Sequence, residues 1–276
     1  HTAYRRQRQM CIRDRDNTLL NSEKKISETN TKVLKQLHKQ GKAIVLCTGR
    51  PINAIWDWLT QLGLMDENDY SVNFNGSLVI HNVDKKPLMA DCMKRDHFAH
   101  LHEFCAAHQY PLDILDFNGV YPINDLPLSG YEKRLGGNMH FLHIPFAKMP
   151  DASYSKAVIC TDPGVLDQIV ANMPEQLTKE FHIVRSQPMI LEFLKPGIDK
   201  GSALDVLLKH FGWTRDNLMT FGDAQNDLEM LASAGVGVAM ANGTAEAKQT
   251  ANRETVLDNN HDGVADFLTS YFAKEE

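Results

Sequence analysis

"KAIVLCTGRP", residues 42–51, carries Ala43 to Leu46 as an unbroken apolar run into a Thr-Gly turn. A strand with one wet face would alternate polar and apolar residues. This one does not, which suits a strand buried on both faces of a parallel sheet. Upstream, Ser27 can cap a helix whose Val33, Leu34 and Leu37 share one face, with Gly41 as the stop. Downstream, Pro51 opens a helix with Ile52, Ile55, Trp56, Leu59 and Leu62 at helical spacing and Gly63 after it. "YSVNFNGSLVI", 70–80, then reads as a strand, an Asn75-Gly76 turn and a second strand.

Residues 84–187 change character. They hold a His-rich helix with Phe98, Leu101 and Phe104, a hairpin signal at Asn118-Gly119, strands at 157–160 and 182–184, and a helix near 166–173. This mixture reads as an inserted α+β module. Strand and helix alternate again afterwards, from "MILEFL" (189–194) through "LMTFGD" (218–223), "VGVAM" (236–240) and "TVL" (255–257) to a last helix with Val264, Phe267 and Leu268. The expected class is α/β, a doubly wound parallel sheet formed by 1–83 and 188–276, with 84–187 as the insertion.

Composition narrows the function classes. A net charge of -6 supplies no field to draw in nucleic acid or an anionic membrane, so neither is an expected partner. The five cysteines lack any CxxC pair, which argues against a disulfide framework or thiolate zinc site and for free thiols in a cytoplasmic protein. No run of 18 apolar residues and no signal-peptide core is visible. Oligomeric state leaves no mark in the sequence.

Ligands of open parallel sheets bind beyond the carboxyl ends of the strands. Three polar stretches stand there. "CTGR" (47–50) supplies Thr48, the Gly49 backbone and Arg50, a donor set suited to phosphate oxygens. "FGDAQND" (221–227) supplies Asp223, Asn226 and Asp227, where a carboxylate at a strand tip suits a hard cation. "DRDNT" (14–18) places Asp14 and Asp16 one residue apart. Each alone has a plainer reading, as a turn, a helix cap or surface charge. Their order along one chain, with Lys200 at a helix entry between the second and third core segments, is what carries weight.

On "DNTLLNS", "VLCTGRP", "NFNGSLV", "LEFLKPGIDKGSAL", "FGDAQNDLEML" and "AGVGVAMANGTAEAK" the chain resembles the haloacid dehalogenase-like hydrolases of the Cof-type subfamily, and "ILEFLKPGIDKG" is close to sugar-phosphate phosphatases within it. The resemblance implies a Rossmann-like core with an α+β cap that closes over the site. It also implies a Mg²⁺-dependent phosphatase that hydrolyses small phosphorylated metabolites, sugar phosphates in particular, through an aspartyl-phosphate intermediate on Asp14. Asp16 would be the general acid and base, and Asp14, Asp16 and Asp223 would hold the metal. Thr48, Gly49, Lys200 and Asn226 would bind the phosphoryl group, backed by Arg50, Asn75 and Asp227. Phosphotransfer to another acceptor, or phosphometabolite binding without turnover, are the rival readings.

The chain departs from the family pattern in two places. Asn17 stands where the pattern has Gly, a substitution that Asn tolerates because it accepts positive φ. "RRQRQMCIR" (5–13) stands where an apolar central strand is expected, and burying Arg8 or Arg13 would be costly. Residues 1–15 therefore read as a tag, a junction or an assembly error, with the native sequence resuming near Asp16. His97, His100, His102 and His108 read as a solvated helix rather than a metal cluster.

Overall fold

The computed structural model describes residues 9–13 by backbone alone and residues 17–50, 52–135 and 140–273 in full. The chain divides into two compact units, His1–Met89 with Asp199–Glu276, and Ala90–Ile198. Both boundaries lie later than the 83/84 and 187/188 expected from sequence, and the sheets explain why.

The first unit begins with β1 (Gln9–Arg13), α1 (Glu28–Lys39), β2 (Ile44–Cys47), α2 (Trp56–Leu62), β3 (Tyr70–Asn73), β4 (Leu78–His81) and β5 (Pro87–Ala90). Ser27 caps α1 by accepting the Asn30 N–H, and α1 buries Leu34 and Leu37. β5 lies at the edge of this unit's sheet, which carries the core past residue 83.

The second unit contains α3 (Ala99–His108), β6 (Asp113–Asp116), β7 (Gly119–Pro122), α4 (Tyr131–Leu135), β8 (His140–Phe141), β9 (Tyr154–Cys160), α5 (Pro163–Ala171), α6 (Glu175–Glu180), β10 (His182–Gln187) and β11 (Ile190–Leu194). Its sheet runs β10-β11-β9-β6-β7-β8. β11 pairs antiparallel with β9 and β10, so "MILEFL" belongs to the inserted module and not to the parallel core. One face of this sheet packs Ile114, Ala157, Ile159, Leu191 and Phe193 against Leu101 and Phe104 of α3 and Leu166 and Ile169 of α5. Each fully buried Ile, Leu or Phe side chain among them contributes about 1.5–3 kcal/mol of transfer free energy.

The chain then returns with α7 (Lys200–Phe211), β12 (Leu218–Gly222), α8 (Leu228–Ser233), β13 (Val236–Ala239), α9 (Ala245–Thr250), β14 (Arg253–Glu254) and α10 (Gly263–Phe272). The core sheet has the order β14-β13-β12-β1-β2-β3-β4-β5, parallel from β14 to β3 and antiparallel between β3 and β4. Val45, Cys47 and Val72 of the sheet pack against Leu204, Leu207 and Leu208 of α7. The expected final strand 255–257 is displaced: β14 precedes it, and only the Thr255 N–H continues the ladder, to Ala239.

β1 corrects a further expectation. Gln9–Arg13, read as too charged for a central strand, pairs in parallel with both β12 and β2. Two parallel neighbours present unpaired N–H and C=O groups on either side of this slot, and backbone pairing satisfies both whatever the side chains are. Of the cysteines, Cys92, Cys105 and Cys160 are free as expected, whereas Cys47 is disulfide-bonded. The α3 histidines do not converge: His100 meets Glu180, His102 meets Asp125, and His108 meets the Phe104 carbonyl. Among the described residues no helix is long and apolar enough to cross a membrane.

Candidate active site

Parallel pairing sets the carboxyl ends of β12, β1 and β2 along one edge of the core sheet, and most of the expected site residues follow those ends. Asp14 and Asp16 lie outside the described residues.

Thr48 follows β2 and is fully buried. Its N–H donates to the Val72 carbonyl at 2.8 Å, and its carbonyl accepts the Asn75 N–H at 3.0 Å. Its hydroxyl oxygen accepts the Arg50 N–H at 3.0 Å, so the hydroxyl hydrogen is what Thr48 has to give as a donor. Gly49 lies against Asn75; a Cβ there would sit 2.9 Å from Asn75 Oδ1. Asn75 occupies the left-handed region at φ 55°. The Arg50 guanidinium stacks over the Trp58 ring at 5.1 Å, and its carbonyl accepts the Asn73 side-chain amide at 2.9 Å. Neither Trp58 nor Asn73 stands out in the sequence as a partner of this turn.

Lys200 is the first residue of α7, whose start is fixed by a reciprocal cap between Asp199 and Ser202. Its Nζ donates to Asp227 Oδ1 at 2.9 Å, with Lys200 1% and Asp227 0% exposed. The other carboxylate oxygen of Asp227 accepts the N–H groups of Asp223 at 3.0 Å and Ala224 at 3.3 Å. Gly222 makes that loop possible, because a Cβ at 222 would lie 2.5 Å from the Asp227 Cβ. The Asp223 carboxylate in turn accepts the Thr18 hydroxyl at 2.8 Å, a bond across 205 residues of sequence. Asn226, 5% exposed, has neither side-chain atom hydrogen-bonded among the described residues.

The structure thus joins Lys200, Asp227 and Asp223 directly, and joins Thr48, Gly49, Arg50 and Asn75 to one another. The two groups adjoin where the Gly76 backbone meets that of Asp199. Thr18, whose hydroxyl reaches Asp223, does not stand out in the sequence. Its signal was position, the first hydroxyl after the paired aspartates.

The oxygen donors around Asp223 suit a hard divalent cation, and a buried amide with open hydrogen-bonding capacity at Asn226 fits a site that takes a polar guest. Another group has metal-ligand spacing, His38, Asp66 and Asp69, with donor atoms within 4.8 Å of one another. It sits at the amino-terminal edge of the sheet, before β2 and β3, beside a cavity of about 730 Å³ also lined by Lys42, Phe211 and Trp213. Internal bonds account for it: His38 Nε2 to Asp69 Oδ1 at 2.9 Å, and the Asp66 N–H to Asp69 Oδ2 at 2.8 Å. None of the expected site residues lines that cavity.

A sequence profile described as haloacid dehalogenase-like hydrolase matches residues 11–268. YxeH of Bacillus subtilis (strain 168), a candidate phosphatase by name, is 32% identical over 91% of this chain and 94% of its own length. The 5-amino-6-(5-phospho-D-ribitylamino)uracil phosphatase YitU of the same organism is 29% identical over 94% of this chain and 96% of its own. A solved haloacid dehalogenase-like hydrolase from Bacteroides thetaiotaomicron superposes with a TM-score of 0.82 at 28% identity, covering 96% of this chain and 99% of that one. Together with the sheet orders above, this is an α/β core of Rossmann type carrying an α+β cap.

Proposed function

The chain belongs to the haloacid dehalogenase-like hydrolases, and on that premise we propose that it is a Mg²⁺-dependent phosphatase of small phosphorylated metabolites, sugar and polyol phosphates in particular. The observation that carries this reading is the buried line Lys200–Asp227–Asp223–Thr18, which unites a cation suited to phosphate with a carboxylate suited to metal at one sheet edge. A buried Lys paired to an acid that also ties down the neighbouring loop is held rigid, as a phosphate ligand must be.

In this reading the Asp14 carboxylate attacks phosphorus in line while Asp16 gives its proton to the departing alcohol oxygen. Asp16 then takes a proton from water, whose oxygen bonds to phosphorus as the Asp14–phosphorus bond breaks, releasing inorganic phosphate. Lys200 and the Thr48 hydroxyl grip the phosphoryl oxygens, and the Gly49 N–H lies in the same loop. Asn226 orients the phosphate. Asp227 and Asn75 fix the residues that touch it, and Arg50, stacked on Trp58, holds the turn. Asp14, Asp16 and Asp223 would hold Mg²⁺, which would offset the repulsion between carboxylates and phosphate.

The preference for polyol esters draws on YitU, whose named substrate carries its phosphate on a ribityl chain. p-Nitrophenyl phosphate should be hydrolysed with Mg²⁺ and lost with EDTA or with Asp223→Ala. Activity that survives either treatment overturns the reading. A panel of sugar and polyol phosphates then ranks kcat/KM, and product analysis with added sugar acceptors detects transfer.

A further inference from the structure

We infer that Asn242 is a positioning residue, which sets the spacing between the chain leaving the aspartate pair and the carboxylate of Asp223. This inference rests on the phosphatase reading. The loop after β13 wraps the end of β12: the Met240 N–H donates to the Gly222 carbonyl at 3.0 Å, and the Thr244 N–H to the Asp223 carbonyl at 2.8 Å. From the middle of that loop Asn242 reaches in the other direction. Its Nδ2 donates to the Asn17 carbonyl at 2.7 Å, while its Oδ1 accepts the Asn259 N–H at 3.1 Å. Asn259, 5% exposed, sends its own Nδ2 to the Leu20 carbonyl at 2.8 Å.

Two side-chain amides therefore grip the backbone at 17 and 20, on either side of Thr18, whose hydroxyl is on Asp223. Asn17 needs such a grip. It sits at φ 96°, a conformation that a residue with a side chain holds only when its surroundings impose it. Asn242 itself is exposed, so it buries little and adds little to the core. What it fixes is a distance. Groups that must converge on one phosphate tolerate displacement poorly, since about 1 Å of misplacement costs on the order of 100-fold in rate.

Asn242→Asp in the full chain is the sharpest probe, because it keeps the acceptor for the Asn259 N–H and sets an oxygen against the Asn17 carbonyl. Asn242→Ala removes both bonds. With p-nitrophenyl phosphate, both variants should lose roughly 10- to 100-fold in kcat with KM changed less than about twofold. The Mg²⁺ concentration that half-raises Tm should climb, while the metal-free Tm falls by less than about 4 °C. Amide exchange across 17–22 should accelerate. Unchanged kcat and Mg²⁺ response, or a fall in Tm alone, overturns the assignment and leaves Asn242 a structural tie. If the unaltered protein hydrolyses nothing, the phosphatase reading fails separately. Exchange across 17–22 then decides the clamp, and unaltered exchange in both variants ends it.

Discussion

Two lysine–carboxylate pairs are equally buried in this molecule and stand in different surroundings. Lys200 meets Asp227 at 2.9 Å in the core unit, and Lys156 meets Glu192 at 2.7 Å in the inserted unit, with all four side chains at most 1% exposed. The inserted pair bridges neighbouring strands β9 and β11, and Ser186 donates to the second carboxylate oxygen at 2.5 Å. The core pair stands at the start of a helix beside the loop that follows a strand, and its second oxygen holds that loop's backbone. Burial and pairing are common to both, so neither marks a site. The surroundings differ: Asn226, without a hydrogen bond among the described residues, and the Asp223–Thr18 bond accompany the core pair.

That contrast can be broken by substitution. Lys200→Met should reduce kcat/KM by roughly 100- to 1,000-fold, and stability by about 3–5 kcal/mol because Asp227 is left charged and buried. Lys156→Met should cost a similar 3–5 kcal/mol in urea unfolding, yet leave kcat per folded molecule within about twofold. Replacing both Lys156 and Glu192 by apolar residues should restore most of that stability. An equal loss of turnover in the Lys156 variant would erase the distinction.

Asp113 supplies a third case, an acid buried without a lysine. It is 0% exposed on β6, and neither carboxylate oxygen makes a well-formed hydrogen bond among the described residues, although Ser129 stands close enough to act on it. Burial pushes its pKa up to about 7, against the weaker pull of Ser129 and His143, with Glu132 adding to the rise and Cys160 nearby. A raised folded pKa means the folded state holds the proton longer. Stability is then fullest below about pH 4 and is lost as pH climbs through about 7, by an amount on the order of 4 kcal/mol at most. Asp113→Asn should flatten that slope in chemical unfolding measured at pH 5 and pH 8, and an unchanged slope would place the titration elsewhere. The smallest effect is expected at Asn17→Gly. Releasing the strained φ of 96° should stabilise by about 1 kcal/mol or less, without altering the clamp on the residue's carbonyl.

Thr48, Lys200, Asp223 and Asp227 stand out in the sequence because each follows an apolar run or opens a helix, where a polar residue is conspicuous. It did not show that β11 belongs to the insertion. Ile190–Leu194 of "MILEFL" is buried throughout, with Glu192 neutralised by Lys156, so it imitates the continuous apolar run of a parallel core strand. The central place of Gln9–Arg13 was hidden for the opposite reason: its charges argue against burial, while its neighbours' open ladders decide the pairing. The Asn242 and Asn259 ties were invisible because amides in loops are ordinary, and only the fold brings residues 242 and 259 to 17 and 20.

Gly76 has one more consequence. Any side chain there would collide with the Asp199 carbonyl, 2.1 Å from where a Cβ would stand. Asp199 is where the polypeptide comes home after its excursion through the inserted unit. The returning chain is therefore packed main chain against main chain within the first unit, with no room for a side chain at 76. Inserts of other lengths and shapes could be spliced between residues 89 and 199 while the lysine one step beyond keeps its station.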